Sequence, residues 1–246
     1  MNLIGLVLAV AVGISLGLLG GGGSILTLPI LMYAFGMGEK EAIATSLIVV
    51  GITSAAAVIS HARQGNVEWR TGLIFAAAGS AGAFGGGWFA DFIPGSWLVN
   101  GFLLMMVATA IAMIRGRKEV KAHEGPLPVP KILAEGLVVG IVTGLVGAGG
   151  GFLVVPALAL LGGLPMPKAV GTSLVVIAIK SFFGYLGHAT HVAIDPMIAM
   201  EVSLMAVVGS FVGGVVAPRV PASNLRQAFG VFVMLMAMYM GSKQLM

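Results

Sequence analysis

Two glycine runs interrupt otherwise apolar sequence: GLLGGGGSILTLPIL from Gly17 to Leu31, and GLVGAGGGFLVVPAL from Gly144 to Leu158. Glycine lets the backbone turn sharply and leaves its amides approachable. At membrane depth such a turn is tolerated only where protein or a wet cavity surrounds it. A helix that starts after the turn presents unpaired N–H groups and the positive end of its dipole, which together attract anions. The runs place such starts at Ser24 and near Gly151. Gly20, Gly21, Gly22, Gly23 and Ser24, and Gly147, Gly149, Gly150 and Gly151, are therefore candidate substrate-binding residues for an anion. One glycine alone would be better explained by close helix packing. Two aligned clusters, each between short apolar segments, favour a site. Neither run is a phosphate loop, because no Gly-Lys-Ser/Thr follows either of them.

Downstream of each run lies a hydroxyl pair, Thr45-Ser46 and Thr172-Ser173. These hydroxyls can donate to an oxyanion, or bond back to their own helix; both readings stay open. Lys180 is the only Lys or Arg placed deep in an apolar helix. At mid-bilayer such a residue usually faces a cavity or a partner, so it joins the candidate anion-binding set; snorkelling to the nearer surface is the alternative. His61 and His188 recur at matching positions and are candidates for a proton relay, or else interfacial residues. Glu135 and Glu201 near helix starts read as structural. There is no Cys, which excludes thiolate metal sites and Cys nucleophiles. No His-Glu-x-x-His, Gly-x-Ser-x-Gly or paired intramembrane Asp is present, so no catalytic residue, metal or cofactor is assigned.

The elements that must position these residues come in two copies. Shifting the chain by 127 residues aligns it with itself without a gap. Gly17, Gly20, Gly22, Gly23 and Pro29 fall on Gly144, Gly147, Gly149, Gly150 and Pro156. Thr45 and Ser46 fall on Thr172 and Ser173, and His61 falls on His188. Each copy reads as five apolar segments. The first gives about 3–18, 24–36, 43–61, 70–90 and 96–115; the second gives about 131–147, 151–162, 168–188, 196–216 and 223–243. Residues 1–114 form the first repeat, 115–131 a polar linker with three prolines, and 132–246 the second repeat. Spanning takes about 20 helical residues, so the first two segments of each copy are short. A Gly-tipped hairpin at that place gives the copies opposite orientations; one broken crossing would make them parallel. With hairpins, ten of the thirteen Lys and Arg lie on the inner face and Lys40 and Lys243 outside, as the preference of basic residues for cytoplasmic loops requires. The expected fold is an all-α polytopic membrane protein of two inverted repeats, with both termini outside.

Composition agrees. The chain is 58% hydrophobic and 9% charged, against about 25% charged residues in soluble domains. A net charge of +4, with basic residues scattered in short loops, does not suit nucleic acid. Residues 3–19 lack the basic flank of a signal peptide and precede the first glycine run as 130–146 precede the second, so they read as part of the fold.

In the glycine runs, their prolines and the Ala-x-x-Thr-Ser motifs AIATSL and AVGTSL, the chain resembles the TauE/SafE sulfite-exporter family, also called toluene-sulfonate uptake permeases. The resemblance covers nearly the whole chain. It implies a multi-pass permease of a prokaryotic inner (plasma) membrane that carries sulfite, a sulfonate such as sulfoacetate, or thiosulfate. Its partners would be the small anion and the lipid bilayer, with a homodimer allowed for. Ser24 against Gly151 and Gly21 against Ala148 are departures between the copies, so the half-sites need not be equivalent. A passive anion channel is the alternative function; an intramembrane enzyme or scaffold protein is a more distant one.

Overall fold

The computed structural model describes residues 3–115, 129–147, 151–160, 163–219 and 222–244. The linker expected over 115–131 falls almost wholly outside them. Ten α-helices follow one another: α1 (Leu3–Leu19), α2 (Thr27–Tyr33), α3 (Glu39–Arg63), α4 (Trp69–Phe89), α5 (Gly95–Arg115), α6 (Val129–Val146), α7 (Gly151–Leu160), α8 (Met166–His188), α9 (Pro196–Val216) and α10 (Ala222–Gln244). No strand occurs among the described residues. Among the described residues six helices, α3, α4, α5, α6, α8 and α9, are long and apolar enough to cross a membrane. Turn chemistry marks several ends. Asp195 caps α9 by accepting from the Met197 and Ile198 amides at 2.8 and 3.3 Å, with Pro196 in the first turn, as proline's fixed φ allows. Gly36 and Gly163 take left-handed φ values of +68° and +64° after α2 and α7.

The chain doubles back after α1. Gly20 has φ +65°, and residues Gly20–Leu26 form a 3-10 segment. Gly23 then lies so close to α1 that a Cβ there would sit 2.8 Å from Leu16 Cα and from the Val12 carbonyl. In a continuous helix residues 12 and 23 would be about 16 Å apart. α1 and α2 therefore make a short hairpin. The helix expected from Ser24 begins instead at Thr27, because the tighter 3-10 turn occupies the return. In the second half α6 ends at Val146, Gly147 has φ +71°, and α7 starts at Gly151.

Small residues decide which helices pack. α1 runs along α9: Gly13 meets Ala206, Gly17 meets Ser210, Gly209 meets Val10 and Gly213 meets Ile14. α6 runs along α4: Gly140 meets Gly79, Gly144 meets Ala83, Gly82 meets Leu137 and Gly86 meets Ile141. These are the same four contacts shifted by 127 with the partners exchanged. At each, a Cβ would strike the facing backbone. Since lipid is as apolar as the side chains, close packing of this kind is a main source of helix association.

α3 and α8 cross at the centre. Leu47 touches the space beside Gly184, Ser181 that beside Gly51, and His61 that beside Gly171. The numbers rise along one helix as they fall along the other, so α3 and α8 run antiparallel. α4 and α8 run in the same direction, with Gly72 near Thr172, Gly79 near Lys180 and Gly87 near His188. Trp88, Phe89 and Phe92 form an exposed edge-to-face cluster at the end of α4, and Trp97 is exposed beyond it. Aromatic residues of this kind are enriched at membrane–water interfaces.

Candidate functional site

The two hairpin tips overlap. Gly21 and Gly151 touch backbone to backbone, so that a Cβ on either would fall on the other's main chain. Each tip also reaches the third helix of the other half, one or two turns from its start. Gly20 lies against Val170 and Ser173 of α8; Gly147 lies against Ile43 of α3, and its carbonyl accepts from Ser46 Oγ. Both tip glycines need the positive φ that a side chain disfavours. Gly22 sits within the 3-10 segment. Gly149 and Gly150 lie outside the described residues.

Most of the candidate hydroxyls are engaged with backbone. Ser24 donates to the Gly21 carbonyl, Ser46 to Ile43 and Ser173 to Val170, each at 2.7 Å. Thr172 Oγ1 accepts from the Glu68 amide at 2.9 Å, which ties the loop before α4 to α8. A hydroxyl has one proton to donate: Ser24 and Ser173 hold theirs within their own turns, while Ser46 Oγ lies within reach of both the Ile43 and Gly147 carbonyls and donates to one of them at a time. Thr45 differs: its Oγ1 is buried and has no hydrogen-bond partner.

His61 and His188 hold the hairpins. His61 Nε2 is 3.1 Å from the Gly17 carbonyl and His188 Nε2 is 2.8 Å from the Gly144 carbonyl. A carbonyl only accepts, which assigns the proton to Nε2 in both rings. Each ring thus clasps the last turn of the helix leading to its tip, where carbonyls otherwise lose their intrahelical partners. His61 Nδ1 is buried and has no partner, so no hydrogen-bonded chain leads onward from it.

Lys180 lies inside the bundle, 1% exposed. Its stem passes α4, with Cδ 3.9 Å from where a Gly79 Cβ would be. Its Nζ donates to Thr143 Oγ1 of α6 at 3.1 Å, and Thr143 Oγ1 lies 3.1 Å from the Gly140 carbonyl, to which it donates. Among the described residues the ion pairs are Lys40–Asp91 and Lys168–Glu68, both near helix ends; no carboxylate pairs with Lys180. Thr143 carries no signal in the sequence beyond being a hydroxyl in an apolar helix. Ser54 and Ser181, which match across the 127-residue shift, are also buried without partners. The structure thus brings the tips together with Ser46 and Ser173, and keeps Lys180 apart on the α4–α6 side of α8. No group of three His, Cys, Asp or Glu able to hold a metal occurs among the described residues.

The sequence profile of the sulfite exporter TauE/SafE family matches residues 5–240. The chain belongs to that family. A Xylella fastidiosa protein named a probable membrane transporter protein is 38% identical over 93% of this chain and 90% of its own length. Proteins of the same name in Methanocaldococcus jannaschii and Bacillus subtilis are 30% and 27% identical, over 74% and 88% of this chain and 72% and 90% of their own lengths. No solved structure matches the chain. The profile spans both glycine hairpins and the central α3–α8 pair, so this member of the TauE/SafE family is a multi-pass helical membrane protein built around them.

Proposed function

We propose that the protein is a permease that carries a small sulfur oxyanion, namely sulfite, a sulfonate such as sulfoacetate, or thiosulfate, across the inner membrane of a prokaryote. The observation that carries this reading is Lys180: a buried amine whose one partner among the described residues is a neutral hydroxyl. A cation in that place lacks a counter-charge, and uncompensated buried charge is costly. A transported anion supplies it. The family and the names of the relatives agree with transport.

Inverted repeats, 1–114 and 132–246 joined by 115–131, supply the symmetry that alternating access needs. Two observations support that architecture: the antiparallel run of the counterparts α3 and α8, and the partner-exchanged packing of α1 and α6. The contact of Gly20 and Gly21 with Gly147 and Gly151, with Ser46 and Ser173 beside it, is the gate over which the anion passes.

The test is flux in proteoliposomes. Lys180→Met keeps the stem and removes the charge, and is expected to abolish uptake of sulfite and sulfonate while the protein still elutes as a folded species. Flux undiminished by Lys180→Met would overturn the reading.

A further inference from the structure

Shifting positions by 127 exposes a difference between the halves at one place. Lys180 corresponds to Thr53, Thr143 to Leu16, Ser80 to Val207 and Gly79 to Ala206. In the first half this place is fully satisfied. Thr53 donates to the Val49 carbonyl of its own helix at 2.6 Å, and Leu16 is an apolar residue with no exposed surface. At the counterpart place three polar side chains replace these groups, Lys180 and Thr143 from the second half and Ser80 from α4 of the first. An ammonium has three N–H donors; Thr143 takes one of those of Lys180. The Ser80 hydroxyl, next to the glycine that the Lys180 stem covers, is buried and has no partner. An apolar cleft between α4 and α8, lined by Ser80, Ile179, Leu73, Ala77, Phe84 and Phe183, lies nearby, and Lys180 and Thr143 are not among its lining residues.

We propose that Lys180 and Thr143 form the anion seat of the chain, that the seat takes one singly charged oxyanion, and that the first half carries no equivalent of it. This rests on the transport reading above and narrows it by stoichiometry and charge: hydrogen sulfite and simple monosulfonates carry one charge and fit, whereas thiosulfate and sulfoacetate carry two at neutral pH and are disfavoured. Thr143 fixes the ammonium: it accepts from Nζ while donating to the Gly140 carbonyl, so its oxygen is oriented and the remaining N–H groups point away from it. One positive charge among neutral groups balances one negative charge. A dianion would leave a second charge uncompensated in a site from which water is largely excluded, a heavy cost. The buried, unpartnered Ser80 hydroxyl is a further neutral donor on α4.

The experiment is equilibrium binding to the full chain in nanodiscs, with methanesulfonate as the monoanion and sulfate as the dianion, at one ionic strength. The expected result is one methanesulfonate per chain, with sulfate at least ~10-fold weaker. Thr143→Val is expected to weaken methanesulfonate about 10-fold, and Thr143→Ser, which retains the hydroxyl, to restore it. Two anions per chain, sulfate binding as tightly as methanesulfonate, or Thr143→Val binding like the unaltered protein would each overturn the proposal. Should Thr143→Val fail to elute as a single species, the stoichiometry and the sulfate comparison decide without it. Anion flux with any of those overturning results leaves the transporter standing and removes the seat. No binding and no flux for any anion removes both.

Discussion

The left-handed glycines allow a graded test of how the hairpin tips are held. Gly36, Gly20 and Gly147 share nearly the same φ, +68°, +65° and +71°, but differ in what surrounds them. A Cβ at Gly36 would meet nothing within 4 Å, so Gly36→Ala costs only the left-handed backbone, about 1–2 kcal/mol. At Gly20 the Cβ would lie 2.9 Å from Val170 Cγ1 and 3.0 Å from Ser173 Oγ and the Val170 carbonyl. Two of these atoms end rotatable side chains, so part of the overlap can be relieved. At Gly147 it would lie 2.8 Å from both Ile43 Cα and the Ile43 carbonyl, which cannot rotate away. Overpacking of that kind adds about 1–3 kcal/mol. The order of stability is therefore Gly36→Ala, then Gly20→Ala, then Gly147→Ala. At about 2–4 °C per kcal/mol for a chain of this size, Gly147→Ala should unfold roughly 5 °C below Gly36→Ala. Thermal denaturation in detergent, read by the surviving monodisperse peak, measures it. Flux should follow the same order, because the last two changes push a tip away from the opposite half. Equal melting temperatures for Gly147→Ala and Gly36→Ala would refute the packing argument.

Cys introduced at Gln64 and at Ala193, in a chain without native Cys, should be labelled by an impermeant reagent from opposite sides of the membrane; labelling of both from one side would refute the inverted orientation. His61→Ala and His188→Ala remove the donors to the Gly17 and Gly144 carbonyls and should each destabilise by about 1–3 kcal/mol, whereas His→Gln, which keeps an N–H of similar reach, should retain transport and its pH profile. A pH profile altered by His→Gln would restore the proton-relay role.

The helices were legible in the sequence because a bilayer imposes length and apolarity on each of them. The segment read as 196–216 coincides with α9 (Pro196–Val216), where Pro196 and Asp195 mark the start; 70–90 differs from α4 by one residue at each end, and 96–115 from α5 by one residue at its start. The 127-residue register was legible because Gly, Pro and His positions do not drift freely in apolar text. The partner of each helix was not. Nothing in Gly13 or Gly140 says that one meets Ala206 and the other Gly79, since a small residue permits approach without choosing a neighbour. The hydroxyls were ambiguous for a related reason: Ser46 and Thr45 are adjacent and look alike, but one bonds back to Ile43 and the other to nothing. Only rotamers in a packed setting separate them. The roles of the histidines likewise depend on which carbonyl lies within reach, a distance across 44 residues of chain.

The exchange of partners between halves also sets a timetable for synthesis. α6 can dock as soon as it emerges, since its groove on α4 is already made; Gly140 follows Gly79 by 61 residues. α1 is made first, but its groove belongs to α9, and Ala206 follows Gly13 by 193 residues. At about 5–20 residues per second, the glycine-lined face of α1 waits roughly 10–40 s beside the ribosome with no partner. During that interval the first hairpin is held by little besides the His61 clasp and its own half. A chain cut short before α9 should therefore expose α1 and be recognised as incomplete, even though its α4–α6 pair is intact.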